Sequence, residues 1–225
     1  MPELLTFAGL SLDRPRLMGV VNVTPDSFSD GGDFLDPDIA IAHGLTLRDA
    51  GADILDVGGE STRPGAEPVS EADECARMLP VIKGLSDAGA LVSIDTRRAG
   101  VMRAALEAGA KIVNDVTALT GDDDSIAVCA ELGCDIVLMH MQGEPRTMQQ
   151  NPTYVDAALD IVDYMAERLR TLEAAGIPRA RVAVDPGIGF GKNLDHNLRI
   201  LAHIDAFHAL GTPVLLGVSR KSFIS

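Results

Sequence analysis

Along most of the chain one pattern of apolar and polar positions recurs. A stretch of helical character closes on Ala-Gly or a near variant, at DAGAD (49–53), DAGAL (87–91), EAGAK (107–111), ELGCD (131–135) and EAAGIP (173–178). Glycine just past the last helical turn is the usual left-handed stop. A short apolar run follows each of these: ILDV, LVSI, IVNDV, IVLM and VAV. With LMGVVNV near the start and PVLLGV near the end, the pattern predicts seven strands. Helices are predicted between them near 37–50, 70–87, 97–108, 122–132, 153–175 and 193–210. Repeated βα units imply parallel strands with right-handed crossovers, and near-continuous apolar runs imply strands buried on both faces.

Two architectures meet that description, a doubly wound sheet and a TIM-type barrel. The strand ends separate them. The runs deliver Asn22, then Glu60 to Arg63, then Asp95, Asn114 with Asp115, His140, Asp185, and finally Ser219 to Lys221. An open sheet uses only the ends beside its switch point, whereas in a barrel every end converges on one mouth. The fold class read here is therefore α/β, a TIM-type (β/α)8 barrel forming a single domain over 1–225. Residues 4–16 read as a hairpin turning at Ala8-Gly9 and plugging the barrel floor. The sequence stops at Ser225, before an eighth βα unit, and truncation is a better reading than a seven-stranded form, whose two edges would be left unpaired.

Composition narrows the chemistry. With 46% hydrophobic residues, 4% aromatics and no tryptophan, the core must be aliphatic. Nineteen Lys and Arg against 33 Asp and Glu give a net charge of −14, which repels nucleic acid and anionic membranes. Cys75, Cys129 and Cys134 make no CxxC pair. Buried, reduced thiols and a cytoplasmic address are expected, and neither a signal peptide nor a membrane span is legible.

Taken singly, each strand-end residue has a bland reading. Asp95 would cap the next helix, Asn114-Asp115 and Asp185-Pro186 would start turns, and His140 would be a satisfied core histidine. Caps and turns give no reason, however, to gather two carboxylates, an amide and a lysine around one cavity. Asp95, Asn114 and Asp185 suit a planar heterocycle with a 2-amino-4-oxo edge, a pterin or a guanine, whose adjacent N–H groups a carboxylate accepts side by side. Lys221 is placed to donate to its carbonyl. Two long polar loops, 22–34 and 58–68, read as lids over the mouth. Arg63 suits a phosphate, and Asn22 would offer an oxygen to Mg²⁺ held mostly by water and phosphate. DPGIGFGK (185–192) has Pro186 where a phosphate-binding Walker loop needs glycine, so it reads as a close-packed turn presenting Phe190. Arg220, Lys221 and Ser222 stand where a helix should begin, a place that binds anions through its N–H groups.

Together MGVVNVTPDSFSDGG, ILDVGGESTRPGA, SIDTRR, IVNDV, VLMHMQGEP, DPGIGFGK and GVSRKSFI, in order from 18 to 224, resemble the dihydropteroate synthases. The resemblance implies a dimeric TIM barrel that condenses 6-hydroxymethyl-7,8-dihydropterin pyrophosphate with p-aminobenzoate, by a dissociative substitution, in folate biosynthesis. It assigns the pterin to Asp95, Asn114, Asp185 and Lys221, walled by Met139 and Gly217. It assigns pyrophosphate to Asn22, Thr62 and Arg63, with Asn22 helping to bind Mg²⁺. p-Aminobenzoate, and the sulfonamides that imitate it, would lie near Phe28, Thr62, Pro64, Phe190, Lys221 and Ser222. Asp95, Lys221 and Arg63 would be the catalytic groups. The chain ends before the Arg-x-His pair that this family carries on its last strand. The competing readings are a methyltetrahydrofolate methyltransferase, which would have no pyrophosphate to manage, and a non-catalytic pterin-binding paralogue.

Overall fold

The computed structural model describes residues 5–24, 36–60, 69–143 and 147–221. It opens with an antiparallel hairpin, β1 (Thr6–Phe7) and β2 (Leu10–Ser11), turning through Ala8 and Gly9. The main sheet comprises β3 (Met18–Asn22), β4 (Ile54–Gly58), β5 (Val92–Asp95), β6 (Ile112–Asp115), β7 (Asp135–Met139) and β8 (Val182–Asp185). Every pairing in it is parallel, and spatial order follows chain order from β3 to β8. An order that never reverses, with crossovers of one hand, puts all the helices on one face and curls the sheet. A doubly wound sheet would show a reversal, so this is barrel topology.

The helices are α1 (Pro37–Asp49), α2 (Glu71–Asp87), α3 (Ala99–Glu107), α4 (Ser125–Leu132), α5 (Ala157–Ala174), α6 (Leu194–Ala202) and α7 (Ile204–His208). Side chains the sequence provides start them. Asp36 accepts from the Asp38 N–H ahead of α1, Asp156 accepts from Ala158 and Leu159 ahead of α5, and Asn193 with His196 forms a reciprocal capping box on α6. The single helix expected over 193–210 is broken at His203, which ends α6 and begins α7.

The seventh expected strand, PVLLGV, forms only one bridge, Val184 to Val214. Two hydrogen bonds support it, Val184 N to the Pro213 carbonyl and Leu215 N to the Val184 carbonyl, each 2.9 Å. Proline brings no N–H to a ladder, and β8 has only four residues, so the pairing does not propagate. Among the described residues the sheet is open between β3 and this segment, leaving Leu17, Val20 and Leu216 58%, 54% and 39% exposed.

Alternation along each strand builds two cores. Outward residues such as Val57, Ile94, Leu138 and Val184 pack under Met78, Ile82, Ile161 and Phe207 of the helices. Inward residues at the strands' N-terminal ends, Ile54, Ile112, Val137 and Ala183, form a separate apolar layer with Phe7 of the hairpin. The floor of the arc is thus apolar and capped, and polar inward positions begin one rung higher. Cys129 and Cys134 are buried free thiols, whereas Cys75, expected to be buried, is only partly so because it lies on the flank of α2.

Candidate active site

Strand register sets the site. Asn22 pairs with Gly58, Gly58 with Asp95, and Asp95 with Asn114, so four neighbouring strands present one level row. Met139 pairs with Asp185 in the same way across β7 and β8. Gly58 keeps the row open, since a Cβ there would stand 3.5 Å from Asp95 Oδ2 and 3.8 Å from Asn22 Oδ1. Gly217 stands opposite, where a Cβ would lie 3.9 Å from Asp185 Oδ2. One inward rung below the row lie residues that sequence reasoning missed. Asp56, inward on β4 and 4% exposed, accepts from Asn114 Nδ2 at 2.9 Å. Its Oδ1 and the Oγ of Ser93, its partner in the ladder, are buried against each other. The signal available was a charged residue at an inward position of an otherwise apolar run.

These carboxyls crowd one another in a dry space. Burial, reinforced by the charges of Asp56, Asp115, Glu74 and Glu60, holds Asp95 well above the ordinary carboxylate range. Burial also raises Asp56, against the hydrogen bonds from Ser93 and Asn114. Asp185 is pushed up to about 6 by burial, partly offset by the Gly187 N–H and by Lys192 and Lys221. Asp115, at the same strand end as Asn114, keeps the turn role open to it in the sequence. It faces the helices and accepts from Thr117 N, Thr117 Oγ1 and Leu119 N at 2.7, 2.7 and 3.1 Å, which is the turn role.

On the far side stands the cationic and aromatic wall. Lys221 Nζ lies 4.6 Å over the Phe190 ring, and burial lowers its pKa against the pull of Asp185. His140 proves structural. It is 8% exposed, flanked edge-on by Tyr164 at 5.0 Å, and held neutral at a pKa of about 3 by burial and the neighbouring Lys192. After β5, Thr96 and Arg98 secure the surroundings of Asp95. Arg98 donates to Glu60 (2.8 Å), to the Val69 carbonyl (2.7 Å) and to the buried Glu74, which Thr96 also binds at 2.7 Å.

Of the residues singled out from the sequence, the structure thus gathers Asn22, Asp95, Asn114, Met139, Asp185, Phe190, Gly217 and Lys221 at one mouth. Phe28, Thr62, Arg63, Pro64 and Ser222 lie outside the described residues. Among the described residues no three His, Cys, Asp or Glu side chains converge as a metal-binding group.

Comparison with known proteins follows the same outline. Residues 18–225 match the family model described as pterin binding enzyme. The chain is 44% identical over 216 residues to the dihydropteroate synthase of Escherichia coli K12, covering 96% of this chain and 76% of that one. It is similar to the solved structure of Xanthomonas albilineans dihydropteroate synthase with 4-aminobenzoic acid, with TM-score 0.89 and 47% identity over 96% of this chain and 78% of that one. It is also similar to the Yersinia pestis dihydropteroate synthase in a sulfonamide drug complex, with TM-score 0.90 and 44% identity over 99% and 82% of the two chains.

Proposed function

The chain belongs to the pterin-binding enzyme family, among its dihydropteroate synthases, and from that premise we propose how its residues divide the reaction. It is a transferase that condenses 6-hydroxymethyl-7,8-dihydropterin pyrophosphate with p-aminobenzoate, giving 7,8-dihydropteroate and pyrophosphate. The observation that carries the reading is the gathering of the inward Asp56, Asp95, Asn114 and Asp185, whose three carboxyls are all raised by burial, as acceptors short of donors are. Unsatisfied buried acceptors cost stability, on the order of 1–3 kcal/mol each, and a ligand edge bearing adjacent N–H donors removes that cost. The apolar layer beneath and Met139 beside it suit the flat faces of the pterin.

Bond breaking then falls at the rim. The C–O bond between the pterin methylene and pyrophosphate breaks, and the electron pair leaves with pyrophosphate. Asn22, Thr62 and Arg63 receive that charge, and Asp95 stabilises the methylene cation across the row from Asn22. The amine of p-aminobenzoate, lying against Phe190 with Lys221 and flanked by Phe28, Pro64 and Ser222, attacks the methylene carbon and loses a proton. Lys221 also donates to the pterin carbonyl. Asp95, Lys221 and Arg63 are thus the catalytic groups, and sulfonamides would occupy the p-aminobenzoate position.

The residues fit Mg²⁺ of one kind only, an ion coordinated chiefly by water and pyrophosphate oxygens. Asn22 Oδ1, near Gly58 and Asp95, supplies a single neutral protein oxygen, and no acidic triad surrounds it among the described residues. When bound, such an ion would neutralise charge on the leaving pyrophosphate. We also read the chain as a cytoplasmic homodimer, a state that sedimentation equilibrium tests directly.

The deciding assay supplies dihydropterin pyrophosphate and Mg²⁺ with and without p-aminobenzoate. Pyrophosphate release that requires p-aminobenzoate, with dihydropteroate formed in equal amount, is the expected outcome. Release independent of it, or pterin binding with no release, would turn the reading towards hydrolysis or a binding role.

A further inference from the structure

Lys192 is charged in kind yet 3% exposed, and the reaction described above leaves it without a role. Its Nζ donates to His140 Nδ1 at 3.0 Å, to the His140 carbonyl at 3.2 Å and to the Phe190 carbonyl at 2.8 Å. In its ammonium form it carries three N–H bonds, and these three acceptors match them one for one. Two of the acceptors belong to the residue that follows β7. The third belongs to the aromatic residue of the turn that follows β8.

That turn is otherwise held from outside. Gln149 Nε2 donates to the Gly189 carbonyl (2.7 Å), Tyr154 Oη to the Gly191 carbonyl (2.8 Å), and the Gly189 N–H to Asn197 Oδ1 (2.9 Å). Among the described residues Lys192 is the side chain that ties it to the end of the neighbouring strand, while the Gly187 N–H donates to Asp185 Oδ1 of its own strand at 2.7 Å. The backbones are in close approach there, since a Cβ on Gly187 would fall 1.9 Å from the His140 carbonyl oxygen. The product of this fastening is the placement of the Phe190 ring beneath Lys221 Nζ.

We propose that Lys192 is a positioning residue for the aminobenzoate-side wall: it locks the 187–191 turn onto the end of β7 and thereby fixes Phe190 against Lys221. The proposal rests on the functional reading above for its kinetic consequence, but not for its structural one. The charges facing Lys192 are consistent with the geometry. Burial lowers it to about 7, Asp185 pulls the other way, and Lys221 adds to the lowering. His140 accepts at Nδ1 and so is the neutral tautomer protonated at Nε2.

The test is Lys192→Met, which keeps the unbranched stem and removes all three donors. Two readouts are taken on the whole chain. Amide exchange followed by mass spectrometry should show residues 187–191 exchanging at least about tenfold faster, with β7 and β8 unchanged. Steady-state kinetics should show KM for p-aminobenzoate rising about tenfold, while KM for the dihydropterin pyrophosphate stays within about threefold. Unchanged exchange in the turn overturns the proposal, and so does an equal rise in both KM values. Should the wild-type chain release no pyrophosphate at all, the functional reading fails and the exchange comparison still decides the role of Lys192. Should Lys192→Met not fold, Tyr154→Phe removes a single outer tie to the same turn. It should raise KM for p-aminobenzoate about threefold with faster exchange at 189–191, and no change in either counts against the proposal.

Discussion

Asp185 has 6% of its surface exposed, and its carboxyl is pushed up to about 6. A pterin edge brings N–H donors, which need the ionised carboxylate. A protonated Asp185 would set donor against donor. Ligand binding therefore favours the deprotonated form and must release a proton when it occurs below about 6. For a single group of this pKa, affinity should weaken about tenfold between pH 7 and pH 5. Titration calorimetry with an oxidised 6-hydroxymethylpterin checks this, and Asp185→Asn should bind weakly at pH 7 and lose most of the slope. An undiminished slope in that variant would assign the titration to another group in the row. Asp95, Asn114 and Asp185 were legible in the sequence because each ends an apolar run, where polarity is conspicuous. Asp56 was not, because a carboxylate inside ILDV looks like an interruption rather than an inward position. Lys192 was hidden for a different reason: a Gly-Lys pair after glycines suggests phosphate, and only the three-dimensional contacts show its ammonium protons matched one for one by acceptors.

At the scale of elements, strands β3 to β8 and most helices were legible because the periodicity of each run and its stop signal agreed. Two misreadings have local causes. PVLLGV has strand composition, but a ladder also needs a partner of sufficient length, and β8 supplies one bridge. The interruption at His203 follows from packing that no hydrophobic pattern announces. Turns are where the sequence said least about consequence, and glycine shows why. Gly89 ends α2 at φ 77° with open space around its missing Cβ, whereas Gly187 has φ 68° and a carbonyl oxygen 1.9 Å from that point. Both carry the left-handed penalty for alanine, about 1–2 kcal/mol. Gly187→Ala must in addition push the turn off His140, so it should exceed Gly89→Ala by at least about 1 kcal/mol in urea unfolding. Equal costs would mean that the turn is not seated on the end of β7 as described.

For the molecule as a whole, the site is a liability until it is filled. Burial raises Asp56, Asp95, Asp115, Asp185 and Glu74 together. A carboxyl whose folded pKa lies above its unfolded value binds protons more tightly in the folded state. Its stabilising contribution is complete below the unfolded value and is lost as pH rises through the folded one. For Asp185, with a folded value of about 6, the loss between pH 5 and pH 6.5 is about 1 kcal/mol. In a chain of 225 residues that corresponds to roughly 2–4 °C in Tm. The net charge of −14 acts in the same direction, since self-repulsion grows as carboxyls ionise. His140, held at about 3, has the opposite sign and gains about 1.5–2 kcal/mol over the same window as the unfolded imidazole deprotonates, whereas the contribution of Lys192, lowered to about 7, rises chiefly above it. Exposed pairs such as Asp156 with Arg199 add little at any of these values. Calorimetric scans of the ligand-free chains should therefore show the Tm of Asp185→Asn gaining on that of the wild-type chain by roughly 2–4 °C from pH 5 to pH 6.5, since only the wild-type loses the Asp185 contribution. A saturating pterin should raise the wild-type Tm more at pH 6.5 than at pH 5, because the ionised row then has its donors. A difference that stays constant over the same interval would mean that Asp185 is solvated in the folded chain, and the dry, acceptor-rich mouth would lose its physical basis.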